Sequence, residues 1–210
     1  MSSVTTLHHP LAADALRLLR DRHTPPSRFR ESVRRLTSLL VAEATRGLPL
    51  ESVTIETPLQ PTTAQQLTSR IGIVPILRAG LSMVDPFLDL LPHAEVWHLG
   101  FYRDEQTLQP VAYYQKLPAG SPVDVAFVLD PMLATGGSAC AALKDLHAWG
   151  VKETIFLGLL AAPEGIQTVR KAYPDTRILV CAVDEKLNEQ GYIVPGLGDA
   201  GDRAFNAAAN

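Results

Sequence analysis

Asp130 ends an apolar run, 123–129, and is followed closely by a turn of small residues, Ala134-Thr135-Gly136-Gly137-Ser138. In an open α/β sheet, ligands collect beyond the carboxyl ends of the strands, where the next helix presents unpaired N–H groups. Two adjacent glycines let backbone come close to a phosphate, and the Thr135 and Ser138 hydroxyls add donors. Asp130 has the wrong sign for a phosphate and the right chemistry for sugar hydroxyls. A sugar phosphate satisfies both. Taken alone, the TGGS tetrapeptide serves equally well as a strand-turn-helix corner. A Walker loop is excluded, since GxxxxGK does not occur.

Three other groups of residues suit anion or base chemistry. The run 71–77 ends in Arg78-Ala79-Gly80, where a guanidinium offers a bidentate phosphate contact and glycine permits close backbone approach. The segment 102–118, YRDEQTLQPVAYYQKLP, carries Arg103 and Lys116 on either side of a charged turn. GLGDAG, 196–201, fits the GxGxxG pattern, but only nine residues follow it, too few for a dinucleotide-binding βαβ unit with its following helix and acidic residue. A glycine-rich loop folded over a flat polar ring is the better reading. None of the six histidines has a metal-ligand or catalytic-pair spacing. Cys140 follows the phosphate loop, where a helix N-terminus lowers a thiol pKa, although a packed thiol is the plainer expectation.

The elements that must position these residues are legible from periodicity. Leu11, Ala15, Leu18 and Leu19 share one helical face, and Phe29, Val33, Leu36, Leu39 and Leu40 another, with Thr24-Pro25-Pro26-Ser27 between them. Strands are expected at 53–57, 71–77, 95–101, 111–115, 123–129, 154–161 and 178–183, and helices at 82–91, 138–149 and 164–172. Several strands are apolar throughout, as suits a sheet covered on both faces. Pro75 falls inside one of them, which predicts a bulged or shortened strand there. The sum is an open, mostly parallel α/β sheet flanked by helices, in one domain over 1–210: a helical arm at 1–50, a core at 51–185 and a base-binding segment at 186–210.

These segments together resemble the uracil phosphoribosyltransferases, of the type I phosphoribosyltransferase superfamily. DPMLATGGS, 130–138, has the form found in that family, with Pro131 where most of the superfamily carries a second acid. The likeness continues through EATRGLP at 43–49, VPILRAGLSMVDP at 74–86, the segment 102–118, AAPEGI at 161–166 and LNEQGYIVPGLGDAGDR at 187–203. The resemblance implies transfer of ribose 5-phosphate from phosphoribosyl diphosphate (PRPP) to uracil, giving UMP and diphosphate in pyrimidine salvage. It implies that Arg78, Ala79, Gly80 and Arg103 meet the diphosphate, the last from a mobile hairpin that closes over it. Residues Asp130, Pro131, Met132, Leu133, Ala134, Thr135, Gly136, Gly137 and Ser138 would hold the ribose phosphate. Ile193, Gly198, Asp199 and Ala200 would contact uracil, with Asp199 also toward PRPP and a candidate base for N1. Mg²⁺ is implied as cofactor, held mainly through PRPP and water rather than by protein ligands. So are a homodimer or homotetramer and, in some members, GTP activation.

Composition narrows the rest. The chain has 210 residues, 46% hydrophobic and 20% charged, with a net charge of −3, and so offers no general attraction to nucleic acid or to anionic membranes. Its longest apolar run, 154–163, is far short of the roughly 20 residues of a membrane span. Two isolated cysteines and no signal-like start suit a cytoplasmic setting. Eight arginines lie within 17–46 against three acids. They suit a solvated face, a subunit interface or an effector nucleotide site. Two rival functions stay open at this point: transfer to another base such as hypoxanthine, or a nucleotide-sensing regulator that binds RNA through the arginine run.

Overall fold

The runs 125–129 and 154–161 are buried at every position, and residues so apolar are stable as strands only with cover on both faces. The computed structural model describes residues 4–103, 110–118 and 120–207, without the side chains of Tyr102, Arg103 and Pro110. In chain order it contains β1 (Val4–Thr6), α1 (Pro10–Arg20), α2 (Pro26–Ala44), β2 (Leu50–Glu56), β3 (Pro61–Leu67) and β4 (Ile71–Leu77). A 3-10 turn (Ala79–Met83) runs into α3 (Val84–Leu88), followed by β5 (Glu95–Val96), β6 (Leu99–Arg103), β7 (Pro110–Gln115), β8 (Val125–Leu129) and β9 (Met132–Leu133). Then come α4 (Gly137–Trp149), β10 (Glu153–Ala161), α5 (Pro163–Ala172), β11 (Arg177–Val183), β12 (Lys186–Leu187), β13 (Ile193–Val194) and α6 (Ala200–Phe205).

The main sheet has the order β1-β11-β10-β8-β4-β6-β7. All its neighbours run parallel except β6 and β7. Side chains alternate along the strands, so each face has its own core. Phe127 and Leu129 of β8 pack with Phe29, Leu36 and Leu40 of α2 and with Phe87 of α3; the Phe87 and Phe127 rings meet edge to face at 5.0 Å. Ala126 and Val128 face the other way, onto Ala142, Leu143 and Leu146 of α4. Among the described residues no helix is long and apolar enough to cross a membrane.

Four expectations about local structure need correction. The expected bulge at Pro75 is absent: β4 runs unbroken, with Pro75 in register with Leu129. On the other edge β5 pairs at Gly72 and Ile73 and β6 at Ile76 and Leu77, which leaves the proline between the two ladders. The helix expected at 82–91 is a 3-10 turn and a short α-helix, because the Pro86 ring in a continuous helix would clash with the Ser82 carbonyl. Strand β1 was missed; at three residues it shows no periodicity and depends on pairing with β11. The run expected as one strand at 53–57 is one side of the hairpin β2–β3, two seven-residue strands that pair only with each other.

Candidate functional site

The carboxyl ends of β4, β8 and β10 lie side by side, and the candidate residues hang from them. Asp130 follows β8 directly. The Pro131 carbonyl accepts from the Leu159 and Leu160 N–H groups at 2.9 and 3.0 Å, and β9 then pairs with Leu160 and Ala161. The loop is thereby stitched to β10 before it turns into α4. Gly136 makes that turn with φ +85°, and a β-carbon there would lie 2.8 Å from the Gly165 carbonyl oxygen. Both the dihedral and the crowding require glycine. The Thr135 hydroxyl accepts from Gly137 N–H at 3.4 Å.

A cavity of about 100 Å³ sits against this turn, lined by Asp130 and by Met132 through Ala139. The first amides of α4, a thirteen-residue helix, are unpaired within the helix, and the helix dipole favours an anion at that end. A second cavity of about 490 Å³ adjoins it, sharing Asp130, Met132 and Ala134, and extends to Ala79, Ile193 and the stretch 198–201. The structure thus brings together the phosphate loop, Ala79, Ile193, Gly198, Asp199 and Ala200 across nearly 120 residues of chain.

Other expected residues stand differently. Pro131 is buried and lines neither cavity. Gly80 is buried, and a β-carbon there would lie 2.4 Å from the Leu129 carbonyl oxygen. Arg78 is exposed, its guanidinium paired with Asp202 of α6 at 3.1 Å. The side chain of Arg103, and residues 104–109 of the expected closing hairpin, lie outside the described residues. Lys116 lines a separate cavity with Trp97, His98 and Tyr114. Sequence reading missed Gln190, Gly191, Tyr192 and Gly201 as lining residues; they fall inside the matched segment 187–203 but carry no chemical signature of their own. A short helix, α6, begins within GLGDAG at Ala200, with no βαβ unit around it. It has six residues, and Asp199 caps it by accepting from Asp202 N–H at 2.8 Å.

The arginine run is largely engaged within the chain. Arg17 pairs with Asp14, Arg28 and Arg35 with Glu31, Arg34 with Asp89 and Arg46 with Glu43. These are surface pairs, each contributing at most about 1 kcal/mol. Arg20 and Arg30 reach the C-terminal segment instead.

Burial governs the titrating groups. Loss of hydration pushes Asp130 up to about 7; the Met132 N–H at 3.2 Å opposes this, and the Asp199 carboxylate adds to it. Burial also raises Cys140, so the helix terminus does not make it a reactive thiol, and it pushes Cys181 up to about 12. Among the described residues no three His, Cys, Asp or Glu side chains gather closely enough to hold a metal ion by themselves.

The chain matches the family model described as uracil phosphoribosyltransferase over residues 6–207. It is 56% identical to the uracil phosphoribosyltransferase of Roseiflexus sp. (strain RS-1) over 205 residues, 98% of this chain and 99% of the relative. To that of Halalkalibacterium halodurans it is 51% identical over 206 residues, with the same coverage. The solved structure of the AQ2163 protein from Aquifex aeolicus superposes with a TM-score of 0.93, at 35% identity, over 99% of this chain and 100% of that one. Adenine phosphoribosyl transferase from Trypanosoma brucei, in complex with AMP, pyrophosphate and ribose-5-phosphate, has a TM-score of 0.57 at 12% identity, covering 92% of this chain and 86% of its own; it shares the fold.

A raised folded-state pKa means that the stability Asp130 contributes is fully present below its ordinary value and is lost as pH rises through about 7. Asp130→Asn should therefore gain stability over the unaltered chain at pH 8 relative to pH 5, by on the order of 2 kcal/mol. Carbon-detected NMR of the ligand-free protein should place the Asp130 midpoint near 7 and show it fall in Asp199→Asn. A midpoint in the ordinary carboxylate range would contradict the burial argument.

Proposed function

The chain belongs to the uracil phosphoribosyltransferase family, and we propose that its two adjoining cavities divide the work of converting uracil and PRPP into UMP and diphosphate. The observation that carries this reading is their junction at Asp130, with a phosphate-sized space on one side and a larger space on the other.

The 5′-phosphate is held by the amides and hydroxyls of Thr135 to Ser138 at the start of α4. Asp130 takes the ribose hydroxyls, and Arg78 and Arg103 take the diphosphate. Ile193 and the backbone of Gly198 to Ala200 read uracil, whose two carbonyls and two N–H groups match a loop that can both donate and accept. A wrong base leaves buried groups unpaired, which is a strong basis for rejection. In the reaction the bond from ribose C1 to diphosphate breaks as the bond from C1 to uracil N1 forms on the opposite face. Positive charge develops on the ribose between these events. The diphosphate leaves with the electron pair, and the N1 proton passes to Asp199 or to solvent. Little covalent chemistry falls to the protein, which fixes geometry and supplies charge.

Magnesium fits this site as a companion of the substrate. Asp130 and Asp199 place two carboxyl groups on one cavity, and their mutual repulsion contributes to the raised Asp130 pKa. Such a pair favours a divalent cation that keeps most of its water and phosphate ligands. When bound, the ion neutralises charge on the departing diphosphate.

The hairpin β2–β3 supports a homodimer. It exposes Leu50, Ile55, Leu59 and Leu67, with Leu59 94% exposed at the turn, and two strands alone are marginally stable in water. A second copy of the chain is the proposed cover. The unpaired thiols Cys140 and Cys181 support a reducing, cytoplasmic setting.

Incubation of the protein with Mg²⁺, PRPP and each of uracil, hypoxanthine and orotate should yield nucleotide from uracil alone. A faster reaction with hypoxanthine would overturn the assignment. Arg103→Ala should lower turnover by about 100-fold, in the range of a lost transition-state charge contact, with the circular dichroism spectrum unchanged; unaltered kinetics would remove Arg103 from the diphosphate site. In sedimentation the protein should run as a dimer or larger, and Ile55→Glu with Leu59→Glu should shift it toward monomer. A monomeric unaltered protein would remove the hairpin from any interface.

A further inference from the structure

The segment 193–201 reads uracil with its backbone, so its function depends on which way each peptide faces. Pairing with β12 holds Ile193 and Val194, and the start of α6 holds the stretch from Asp199, which leaves the turn at Gly196 and Leu197 between them. Gly196 has φ +63°, and it has no side chain with which to hold its own orientation. The structure supplies the missing constraint from elsewhere in the chain. Arg20, the last residue of α1, donates from Nη1 to Asp184 Oδ2 at 2.8 Å and from Nη2 to Asp184 Oδ1 at 2.5 Å. The same Nη1 donates to the Gly196 carbonyl at 2.9 Å, and Gly196 N–H donates to Asp184 Oδ2 at 2.8 Å. One ion pair therefore holds both backbone groups of Gly196. Asp184 follows β11, its own N–H bonded to the Ala161 carbonyl at 2.8 Å, so the pair is anchored to the sheet. Its side chain is 4% exposed and that of Arg20 29%.

The next carbonyl is held in the same way. Arg203 Nη1 donates to the Leu197 carbonyl at 2.7 Å and to the Leu19 carbonyl, and Nη2 donates to the Asp21 carbonyl at 2.6 Å. Its guanidinium lies 4.6 Å from the centre of the Phe29 ring. Two successive carbonyls are thus turned toward the helices α1 and α2, away from the ligand. The cavity lining resumes at Gly198 and omits Gly196 and Leu197.

We propose that Arg20 and Asp184 are positioning residues for the uracil site, fixing the Gly196 turn that aims Gly198 to Ala200 into the cavity without touching the base themselves. The inference rests on the uracil subsite assigned above. A partly buried ion pair adds little net stability compared with apolar packing, but a forked guanidinium and a two-oxygen acceptor define one geometry. If the Gly196 peptide rotated, the stretch from Gly198 to Ala200 that lines the cavity would lose the turn that aims it there. Burial opposes ionisation of Asp184, yet the Arg20 hydrogen bonds and the Gly196 N–H hold its pKa below the ordinary carboxylate value, so the pair stays charged through neutral pH.

Steady-state kinetics of Arg20→Lys tests this, because lysine keeps the charge and loses the fork. The expected result is a KM for uracil raised about tenfold with the KM for PRPP unchanged within twofold. In a folded variant, an equal rise in both, or no change in either, would overturn the proposal. Hydrogen exchange on the unaltered protein decides the matter even if the variant fails to fold: the Gly196 amide should be protected like those of β10. Exchange at the rate of an open loop would overturn it. An unaltered protein that makes no UMP from uracil and PRPP would instead remove the functional reading on which the inference stands.

Discussion

Strands β4, β8 and β10 run parallel with both faces buried, and their carboxyl ends are where the chain must leave the sheet. A buried strand offers its polar backbone only at its ends, so that edge concentrates unpaired amides, the starts of helices and carboxylates such as Asp130. Each functional segment is attached there. The loop 130–138 follows β8 and is tied to β10 through Pro131 and β9; the Arg78 turn follows β4; and Asp184, after β11, holds Gly196 of the C-terminal segment. Rigid strands set the distances between these segments, and the loops contribute the chemistry.

Charge works locally on this scaffold. A net charge of −3 taken alone disfavours an anionic substrate, yet the total registers neither backbone amides nor the placement of single guanidinium groups. The arginine run divides along the same lines. Arg17, Arg28, Arg34, Arg35 and Arg46 form surface pairs, whereas Arg20 and Arg30 turn inward to the C-terminal segment. Arg78 is paired with Asp202 of that segment, and the 3-10 turn that begins at Ala79 packs against α6.

Much of the site was legible in the sequence because its information is local. Asp130 and the loop to Ser138 occupy nine consecutive positions, and their order along strand, turn and helix already implies a phosphate. Strands β8 and β10 could be read from continuous apolar runs. What sequence could not show depends on separation or on competition between neighbours. Arg20 and Asp184 lie 164 residues apart, and in sequence Arg20 is one basic residue in a run of eight. Pro86 divided a helix whose apolar pattern looked continuous, and β1 is too short to show a period. The cap formed by Asp199 became visible only once α6 was seen to follow it.

The central claim is that residues near 136 and residues near 199 form one ligand site at the ends of these strands. Titration of isotope-labelled protein with UMP, followed by amide NMR, addresses it directly. The amides of Gly136, Gly137 and Ser138 should shift together with those of Gly198 and Ala200, along one binding curve. Shifts confined to one of the two segments, or two curves with different midpoints, would contradict it.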